Sequence, residues 1–408
     1  MNSQIGTARG SALYIGALLG PGLLLLPGLA ASQAGPASIV AWAVLLGASA
    51  LFAVVFAALG VRHPSAGGVW GYATAGLGPR AGRAVGWCFL AGVIAGAPIV
   101  CVIGGNYVAE LTGGGTRVAV VTAALLLVGT LVVIARGVRT STTVQFGLVT
   151  LLLVIVVGAV AGSARSAEAA NWTPFAPHGW TAVGQAAATL MLAFVGWEAI
   201  APLTTRIARP HRVIAIAFAA TAVVYLALGA VTVAALGDRA GTDVPLAALL
   251  TIALGDAVGP AVAALGAVVL TVGAVLAYVS GAASLARALR VKPGRTEGLP
   301  PWLAGAVLVS GVVLIGPLAT GRIDLATVVN VPTTFFLVVY LGCTAAGWRL
   351  LRGAPRTCAA IACGMVAVVL AFCGFALVPA ALVTLAAVSK PSATRLLPGR
   401  AEASLRGR

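Results

Sequence analysis

The acidic chemistry inside this chain centres on one carboxyl group, that of Glu198. Of the nine Asp and Glu residues, Glu198 is the one placed deep within a long apolar run, "AAATLMLAFVGWEAIAPLTTR". An ionised carboxylate at that depth is costly unless it is paired or meets water. We therefore predict that Glu198 responds to protons or to a polar substrate. The alternative is a neutral Glu that hydrogen-bonds to helix backbone.

A second source of chemistry is the main chain. The run "YIGALLGPGLLLLPGLA", residues 14–30, is long enough to cross a bilayer, yet Gly20-Pro21-Gly22 lies in its middle. The run around Glu198 is interrupted in the same way by Gly196 and Pro202. Irregular backbone inside a membrane is tolerated where it lines a cavity. The pair therefore favours two broken helices facing one cavity. For the first motif alone, the alternative is a kink or a tight packing site.

Two such breaks could hold a zwitterion such as an amino acid. Amide groups at the start of a half-helix carry partial positive charge and attract a carboxylate, and carbonyls freed at the other break can receive an ammonium. The substrate side chain is expected in an apolar pocket that includes Phe194 and Trp197. The predicted substrate-binding residues are Leu19, Gly20, Pro21, Gly22, Phe194, Val195, Gly196 and Trp197, with Glu198 assigned to proton coupling or gating.

The elements that position these residues are predicted to be membrane-spanning helices. The chain has 408 residues, of which 60% are hydrophobic and only 8% are charged. A spanning helix needs about 20 mostly apolar residues, so about twelve spans fit this length. We predict an all-α integral membrane protein. The expected spans are 9–33, 37–60, 84–109, 117–135, 141–162, 181–204, 213–236, 258–286, 301–320, 324–348, 357–374 and 375–389.

The spacing of the two breaks predicts an inverted repeat. Because five spans separate their starts, the sixth span enters the membrane from the side opposite the first. We expect one five-helix repeat over 9–162 and an inverted second repeat over 181–352. Two extra helices would follow over 356–389, with a cytoplasmic tail over 390–408.

The basic residues predict the orientation in the membrane. The net charge is +16, and of the 25 Lys and Arg residues all but Arg117, Arg165, Arg239 and Arg322 fall in alternate segments on one side. This is the positive-inside pattern, which places both termini in the cytoplasm, and it disfavours nucleic acid as a partner. We also expect that the first apolar run is retained as a span, although "LAASQA" is a plausible signal-peptide cleavage site.

No cofactor, metal site or enzyme activity is expected. The six cysteines form no CxxC pair, and the three histidines are scattered through loops. An intramembrane enzyme would need a nucleophile with its base, or a metal cluster, at depth. A sodium site is possible but not favoured, because the eighth span offers Thr271, Ser280 and Ser284 without an adjacent hydroxyl pair.

Several motifs resemble the amino acid, polyamine and organocation (APC) superfamily of permeases. The first break "LLGPGLLLLPG", the segment "HPSAGGVWGYATAGLGPRAGRAVGW" and "AFVGWEA" are similar to that superfamily. "GWCFL" and "VYLGCTAAGWRLLRG" further resemble bacterial exporters of methionine and branched-chain amino acids. In two places the chain departs from the family pattern. Pro21 replaces the usual Ser or Thr, which removes a hydroxyl and an amide, and Arg206 stands where relatives place an acid before Pro210.

The resemblance implies a leucine-transporter-type fold that works by alternating access. It places the substrate carboxylate at Gly20 to Gly22 and the amine near Phe194 to Trp197. It also aligns Glu198 with a family glutamate implicated in gating or proton response.

The function expected is secondary transport of amino acids in the inner membrane of a bacterium. We expect export of apolar amino acids (methionine, leucine, isoleucine and valine) by proton antiport. The alternatives are an uptake or exchange permease of the same superfamily and, from a different class, a channel or sensor. The sequence leaves the oligomeric state open.

Overall fold

The computed structural model describes residues 6–63, 68–137, 142–200, 207, 209–289 and 298–389. Over these residues the chain is α-helical, with short 3-10 turns and no strand. The helices are α1 (Thr7–Leu18), α2 (Leu26–Ala34), α3 (Ser38–Arg62), α4 (Val69–Leu77), α5 (Pro79–Thr112), α6 (Gly115–Ala135), α7 (Thr142–Ser163), α8 (Thr181–Leu190), α9 (Trp197–Ile200), α10 (Pro210–Leu236), α11 (Pro245–Leu254), α12 (Gly259–Leu289), α13 (Pro301–Ala319), α14 (Leu325–Leu350), α15 (Ala354–Ala371) and α16 (Leu377–Ser389).

The helices confirm the prediction of an all-α, multi-pass membrane protein. Within the described ranges, nine helical stretches are long and apolar enough to cross a membrane, and shorter apolar helices occupy Thr181–Phe194, Pro245–Leu254 and Gly374–Ser389. Each of the twelve predicted spans contains helix. The predicted tail over 390–408 lies outside the described residues.

Two helices were not expected from the sequence. α4 lies in the segment after the second span, and α11 lies in a segment predicted as an outer loop. α4 is bounded by Gly68 at φ +54° and Gly78 at φ +92°, and α11 starts at Pro245 and is followed by Gly255 at φ +84°. Glycine adopts positive φ without steric cost, so these positions stop each helix sharply. α4 packs against α5 and α14, and α11 packs against α7 and α12.

The first span is interrupted at the expected place. α1 ends at Leu18, Gly20 is extended at φ −94° and ψ 178°, and Pro21–Leu24 forms a 3-10 turn before α2 begins. Pro21 has no amide to donate, and a proline ring clashes with the carbonyl four residues earlier. These two effects weaken the helical ladder here, and the extended backbone of Gly20 interrupts it.

The sixth span is interrupted as well. α8 passes into a 3-10 turn over Met191–Phe194, Val195 is extended, and Gly196 has φ +150° before α9 starts. A Cβ atom at Gly196 would lie 2.3 Å from the carbonyl oxygen of Ala17, which belongs to α1. Glycine is required at this position because two backbones meet there. We call residues 19–25 the first break and residues 195–196 the second break.

Long helices surround the two breaks. α5 packs against both α12 and α14, while α1 packs against α10 and α2 packs against α8. The 34-residue α5 contacts the 3-10 turn of the first break, and α14 contacts the 3-10 turn that precedes the second. The breaks therefore lie inside the bundle and not at its surface.

Candidate functional site

A wide cavity leads from one end of the molecule to the two breaks. Its volume is about 770 Å³, and its lining begins at the exposed residues Ala8 and Arg9 near the start of α1. At its inner end it reaches Gly20, Gly196 and Glu198. Its walls come from α1, α7 and α12, with Phe89 of α5. Backbone from both breaks is therefore accessible from that end of the protein.

A second, smaller pocket lies directly against the first break. Its volume is about 60 Å³, and it shares Gly20, Pro21 and Tyr278 with the wide cavity. Among the residues that the structure describes, no charged side chain lines this pocket. Its apolar wall includes Val93, Val100, Leu192, Val195, Val275 and Phe336. We call it the apolar pocket.

The predicted site residues fall into two groups. Seven of the nine line one or both cavities, and the rings of Phe194 and Trp197 pack elsewhere. The seven are Leu19, Gly20, Pro21, Gly22, Val195, Gly196 and Glu198.

Phe194 and Trp197 are held by neighbouring aromatic and polar side chains. The Phe194 ring centre lies 6.0 Å from that of Trp42. Trp197 donates its indole N–H to the hydroxyl of Ser49 at 2.9 Å, and its ring lies 5.7 Å from that of Tyr14. Neither residue lines the wide cavity or the apolar pocket. Residues of α5, α12 and α14 form much of the wall of the apolar pocket instead. The binding roles of Phe194 and Trp197 stay predictions.

Glu198 is bonded to backbone and also lines a cavity, so its position is compatible with both interpretations of it, a responsive carboxyl group or a neutral side chain bonded to backbone. Its side chain is only 4% exposed, and Oε2 accepts the Gly196 N–H at 2.9 Å and the Tyr340 hydroxyl at 2.6 Å. It also lines the inner end of the wide cavity. The carboxyl group is thus bonded to the backbone of the second break and lies at the inner end of the wide cavity.

Tyr340 of α14 holds the second break in place. Its ring packs against Phe52 at 4.8 Å and Phe56 at 5.2 Å. Its hydroxyl lies 3.1 Å from the Phe194 carbonyl oxygen and 3.2 Å from the Gly196 amide nitrogen. One tyrosine therefore contacts the carboxyl group of Glu198 and main-chain atoms on both sides of the interruption.

Tyr225 of α10 contacts the backbone just before each break. Its hydroxyl oxygen lies 2.7 Å from the Leu18 carbonyl oxygen and 2.6 Å from the Ala193 carbonyl oxygen. Tyr225, Leu18 and Ala193 all line the apolar pocket.

Hydrogen bonds join the helices at the end opposite the wide cavity. The Gln33 side-chain amide donates to the Thr189 hydroxyl at 3.0 Å, and that hydroxyl donates to Asn330 Oδ1 at 3.1 Å. The Tyr107 hydroxyl donates to the Leu24 carbonyl at 2.6 Å and accepts the Leu246 amide at 3.2 Å. The first set of bonds joins α2, α8 and α14, and the second joins α5, the first break and α11.

The sequence reasoning missed the tyrosines of the site. Tyr225, Tyr278 and Tyr340 lie in apolar spans that were assigned no polar role. A buried tyrosine hydroxyl usually needs a hydrogen-bond partner, so tyrosines in predicted spans were an available signal. That signal identifies candidates but not their partners.

The residues named in the sodium and gate predictions differ in whether the structure describes them, and both predictions stay predictions. The Thr271 hydroxyl donates to the Val100 carbonyl of α5 at 3.3 Å, whereas Ser284 lies on an exposed part of α12. In the part of the chain that the structure describes, no three His, Cys, Asp or Glu residues are grouped to hold a metal ion. Pro202 and Arg206, which the sequence analysis singled out, lie outside the described residues.

The sequence of this chain is similar to those of known amino acid permeases. The amino acid permease family model matches residues 5–395. An uncharacterized amino acid permease of Bacillus subtilis, YecA, is 30% identical over 388 residues, which cover 88% of this chain and 91% of YecA. The L-methionine/branched-chain amino acid exporter YjeH of Escherichia coli is 32% identical over 222 residues, 52% of this chain and 51% of YjeH. The branched-chain amino acid permease BcaP of B. subtilis is 25% identical over 230 residues, 52% of this chain and 50% of BcaP.

The family model matches nearly the whole chain, and the structure has two interrupted helices that meet inside an apolar bundle. The resemblance to the APC superfamily is confirmed, and this chain belongs to the amino acid permease family.

Proposed function

We propose that this protein is a secondary active transporter that exports apolar amino acids by proton antiport. The observation that carries the proposal is the meeting of both helix breaks at an apolar pocket, at the inner end of a wide cavity. Such breaks leave main-chain donors and acceptors free to bind a zwitterion without a charged side chain.

The first break supplies the proposed carboxylate site. Gly20, Pro21 and Gly22 all line the apolar pocket, and Pro21 has no amide, so Gly22 provides the next N–H along the chain. A Cβ atom at Gly22 would lie 3.0 Å from a methyl group of Leu26. The glycine therefore leaves room for the close approach that a main-chain hydrogen bond requires.

The apolar pocket supports the substrate class. Aliphatic and aromatic side chains line it, and burying apolar surface gains about 25 cal/mol per Å². A charged substrate side chain would lose its water there without finding a partner. Methionine, leucine, isoleucine and valine fit this chemistry.

Glu198 supports coupling to protons. Its charged form is held by the Gly196 amide and the Tyr340 hydroxyl, and the titratable side chains that interact with it electrostatically are Tyr278, Tyr340 and Cys343. A negative Glu198 favours a substrate ammonium at the second break, and a neutral one favours it less. Proton and substrate would then occupy the site in turn, as antiport requires.

The orientation and the internal symmetry belong to the same proposal. The placement of Arg and Lys supports a cytoplasmic location for both termini, and the wide cavity beside Arg9 would then face the cytoplasm of a bacterial cell. We propose that 9–162 and 181–352 are two inverted repeats, with the two breaks at equivalent positions. The direction of transport rests on the similarity to the E. coli exporter YjeH.

An uptake permease or exchanger for the same substrates is the second candidate. The similarity to BcaP of B. subtilis, a branched-chain amino acid permease, favours it. The cavities suit either direction, because direction depends on the driving gradient and not on the binding site.

The proposal is tested with purified protein in liposomes and a panel of labelled amino acids. We expect an imposed pH gradient to drive leucine, isoleucine, valine and methionine across the membrane in the direction opposite to the flow of protons. Counterflow with unlabelled leucine inside should accelerate entry of labelled leucine, because a carrier exchanges substrates and a channel does not. Transport confined to charged amino acids, or absence of counterflow, contradicts the proposal.

A further inference from the structure

The hydroxyl group of Tyr225, from a third helix, joins the backbone segments that immediately precede the two breaks. The side chain of this residue is fully buried, and its oxygen contacts the carbonyl oxygens of Leu18 and Ala193 at 2.7 and 2.6 Å. Leu18 is the last residue of α1, and Ala193 lies in the 3-10 turn before the second break. Carbonyls from both interrupted helices thus converge on one atom of α10.

The two carbonyl oxygens at this point have more lone pairs than there are O–H and N–H groups to occupy them. A phenol has one proton to donate, but two carbonyl oxygens lie within hydrogen-bond distance of it. The Leu18 carbonyl also accepts the Gly20 amide at 3.1 Å. Sharing the single proton leaves acceptor capacity unused at the wall of the apolar pocket, where all three residues lie. A further N–H donor at this point would satisfy it.

The position of the hydroxyl is determined by the packing of the ring. Trp42 of α3 lies 5.1 Å from the Tyr225 ring centre, and Phe194 lies 5.2 Å from it at an interplanar angle of 81°. An aromatic ring with two close aromatic neighbours has few alternative rotamers. Tyr225 therefore acts as a rigid spacer between the two carbonyls.

We propose that Tyr225 is a positioning residue for the substrate amine. It keeps the Leu18 and Ala193 carbonyls at a set spacing, and it donates its proton to whichever carbonyl the ammonium does not occupy. The identity of the ligand rests on the proposed function, but the link between the breaks does not.

A purely structural role makes a different prediction. If Tyr225 only satisfied buried carbonyls, loss of its hydroxyl would weaken every ligand of the site equally. If it positions the amine acceptors, the loss should fall on ligands that carry an amine. The two roles are therefore separated by a ligand that lacks the amine.

The test uses Tyr225→Phe, which retains the ring and removes the hydroxyl. Thr232→Val is the matched control, because the Thr232 hydroxyl is buried on the same helix, about two turns away, and donates to Leu228 of its own helix at 2.7 Å. The probes are L-leucine and 4-methylpentanoate, which has the same carbon skeleton and carboxylate without the amine. Binding is measured by calorimetry on full-length protein in lipid nanodiscs.

We expect wild-type protein and Thr232→Val to prefer leucine over 4-methylpentanoate by the same factor. In Tyr225→Phe that factor should fall by about tenfold or more, which corresponds to about 1.4 kcal/mol. Equal weakening of both ligands, or an unchanged factor, overturns the proposal.

A second measurement does not require the ligand to be identified. Hydrogen exchange without ligand should be at least about fivefold faster in Tyr225→Phe for peptides covering both breaks, and unchanged in Thr232→Val. Unchanged exchange at either break overturns the proposal. If the proposed function is wrong, the wild-type protein should bind neither leucine nor 4-methylpentanoate. Hydrogen exchange without ligand then still tests whether Tyr225 links the two breaks.

If Tyr225→Phe does not fold, hydrogen exchange is measured on the wild-type protein with each probe. Slower exchange at both breaks with leucine, but not with 4-methylpentanoate, supports the proposal. Identical effects of the two probes contradict it.

Discussion

The Tyr340 hydroxyl donates a hydrogen bond to Oε2 of Glu198 at 2.6 Å, although the two residues are 142 positions apart in the sequence. The same carboxyl oxygen accepts the Gly196 amide, so the charge on Glu198 is coupled to the backbone geometry of the second break. A proton added to Glu198 removes a charged acceptor and weakens both contacts, because hydrogen bonds to charged groups are the stronger ones.

Glu198→Gln should abolish the pH dependence of amino acid transport while leaving exchange of substrate measurable. Glutamine fills the same space but cannot take up or release a proton. The measurement is the rate of leucine transport in proteoliposomes from about pH 5 to pH 8, the range in which a functional carboxyl group can change charge. Glu110→Gln is the control, since Glu110 is exposed at the end of α5, away from the breaks. A pH profile like that of the wild type would retire the coupling role of Glu198.

Gly22→Val should abolish leucine binding without unfolding the protein. Gly22 lines the apolar pocket, and its backbone is not in a conformation that only glycine adopts. The branched side chain would occupy the space through which a carboxylate reaches the main chain. Binding is measured by calorimetry, with Gly129→Val as the control because a Cβ atom at Gly129 meets no other atom within 4 Å. Leucine affinity equal to that of the control would refute the carboxylate site.

Gly96→Val should shift the substrate preference from large to small amino acids. Gly96 lines the apolar pocket, and its Cβ atom would meet the Pro332 Cβ at 3.6 Å, an ordinary contact. The added methyl groups fill part of a pocket of about 60 Å³, so leucine and methionine should lose about tenfold in affinity or more relative to alanine. Competition against labelled leucine measures the change. Gly158→Val, at a helix position where a Cβ atom meets open space, should keep the wild-type order. The same order in Gly96→Val would show that the pocket does not hold the substrate side chain.

Gly196→Ala should destabilise the protein strongly. The Cβ atom would lie 2.3 Å from the Ala17 carbonyl oxygen, and φ +150° is rarely adopted by residues with a side chain. Backbone strain alone costs about 1–3 kcal/mol, and the clash adds to it. Thermal unfolding in detergent should show a lower midpoint or loss of the folded peak in size-exclusion chromatography. The control Gly47→Ala lies on an exposed helix face with open space around it and should be neutral or stabilising. A wild-type midpoint for Gly196→Ala would mean that the two backbones do not meet.

The sequence by itself determined the fold class, the positions of the spans and the two interruptions. These follow from local chemistry, because about 20 apolar residues suit a bilayer, and neighbouring glycine and proline residues weaken a helical ladder. It also identified Glu198, since a carboxyl group deep in an apolar run stands out in any single sequence. Helices α4 and α11 were missed because the glycines that bound them read as loop residues.

Only the tertiary structure decided which side chains meet at the breaks. The direction of the Trp197 ring depends on the backbone at Val195 and Gly196, which precede it. The Phe194 ring is placed by its contacts with Trp42 and Tyr225, which come from other helices. The partners of Glu198 and of the Ala193 carbonyl are Tyr340 and Tyr225, which come from other helices. Contacts between distant helices depend on how the helices pack, and no local pattern of residues specifies that packing.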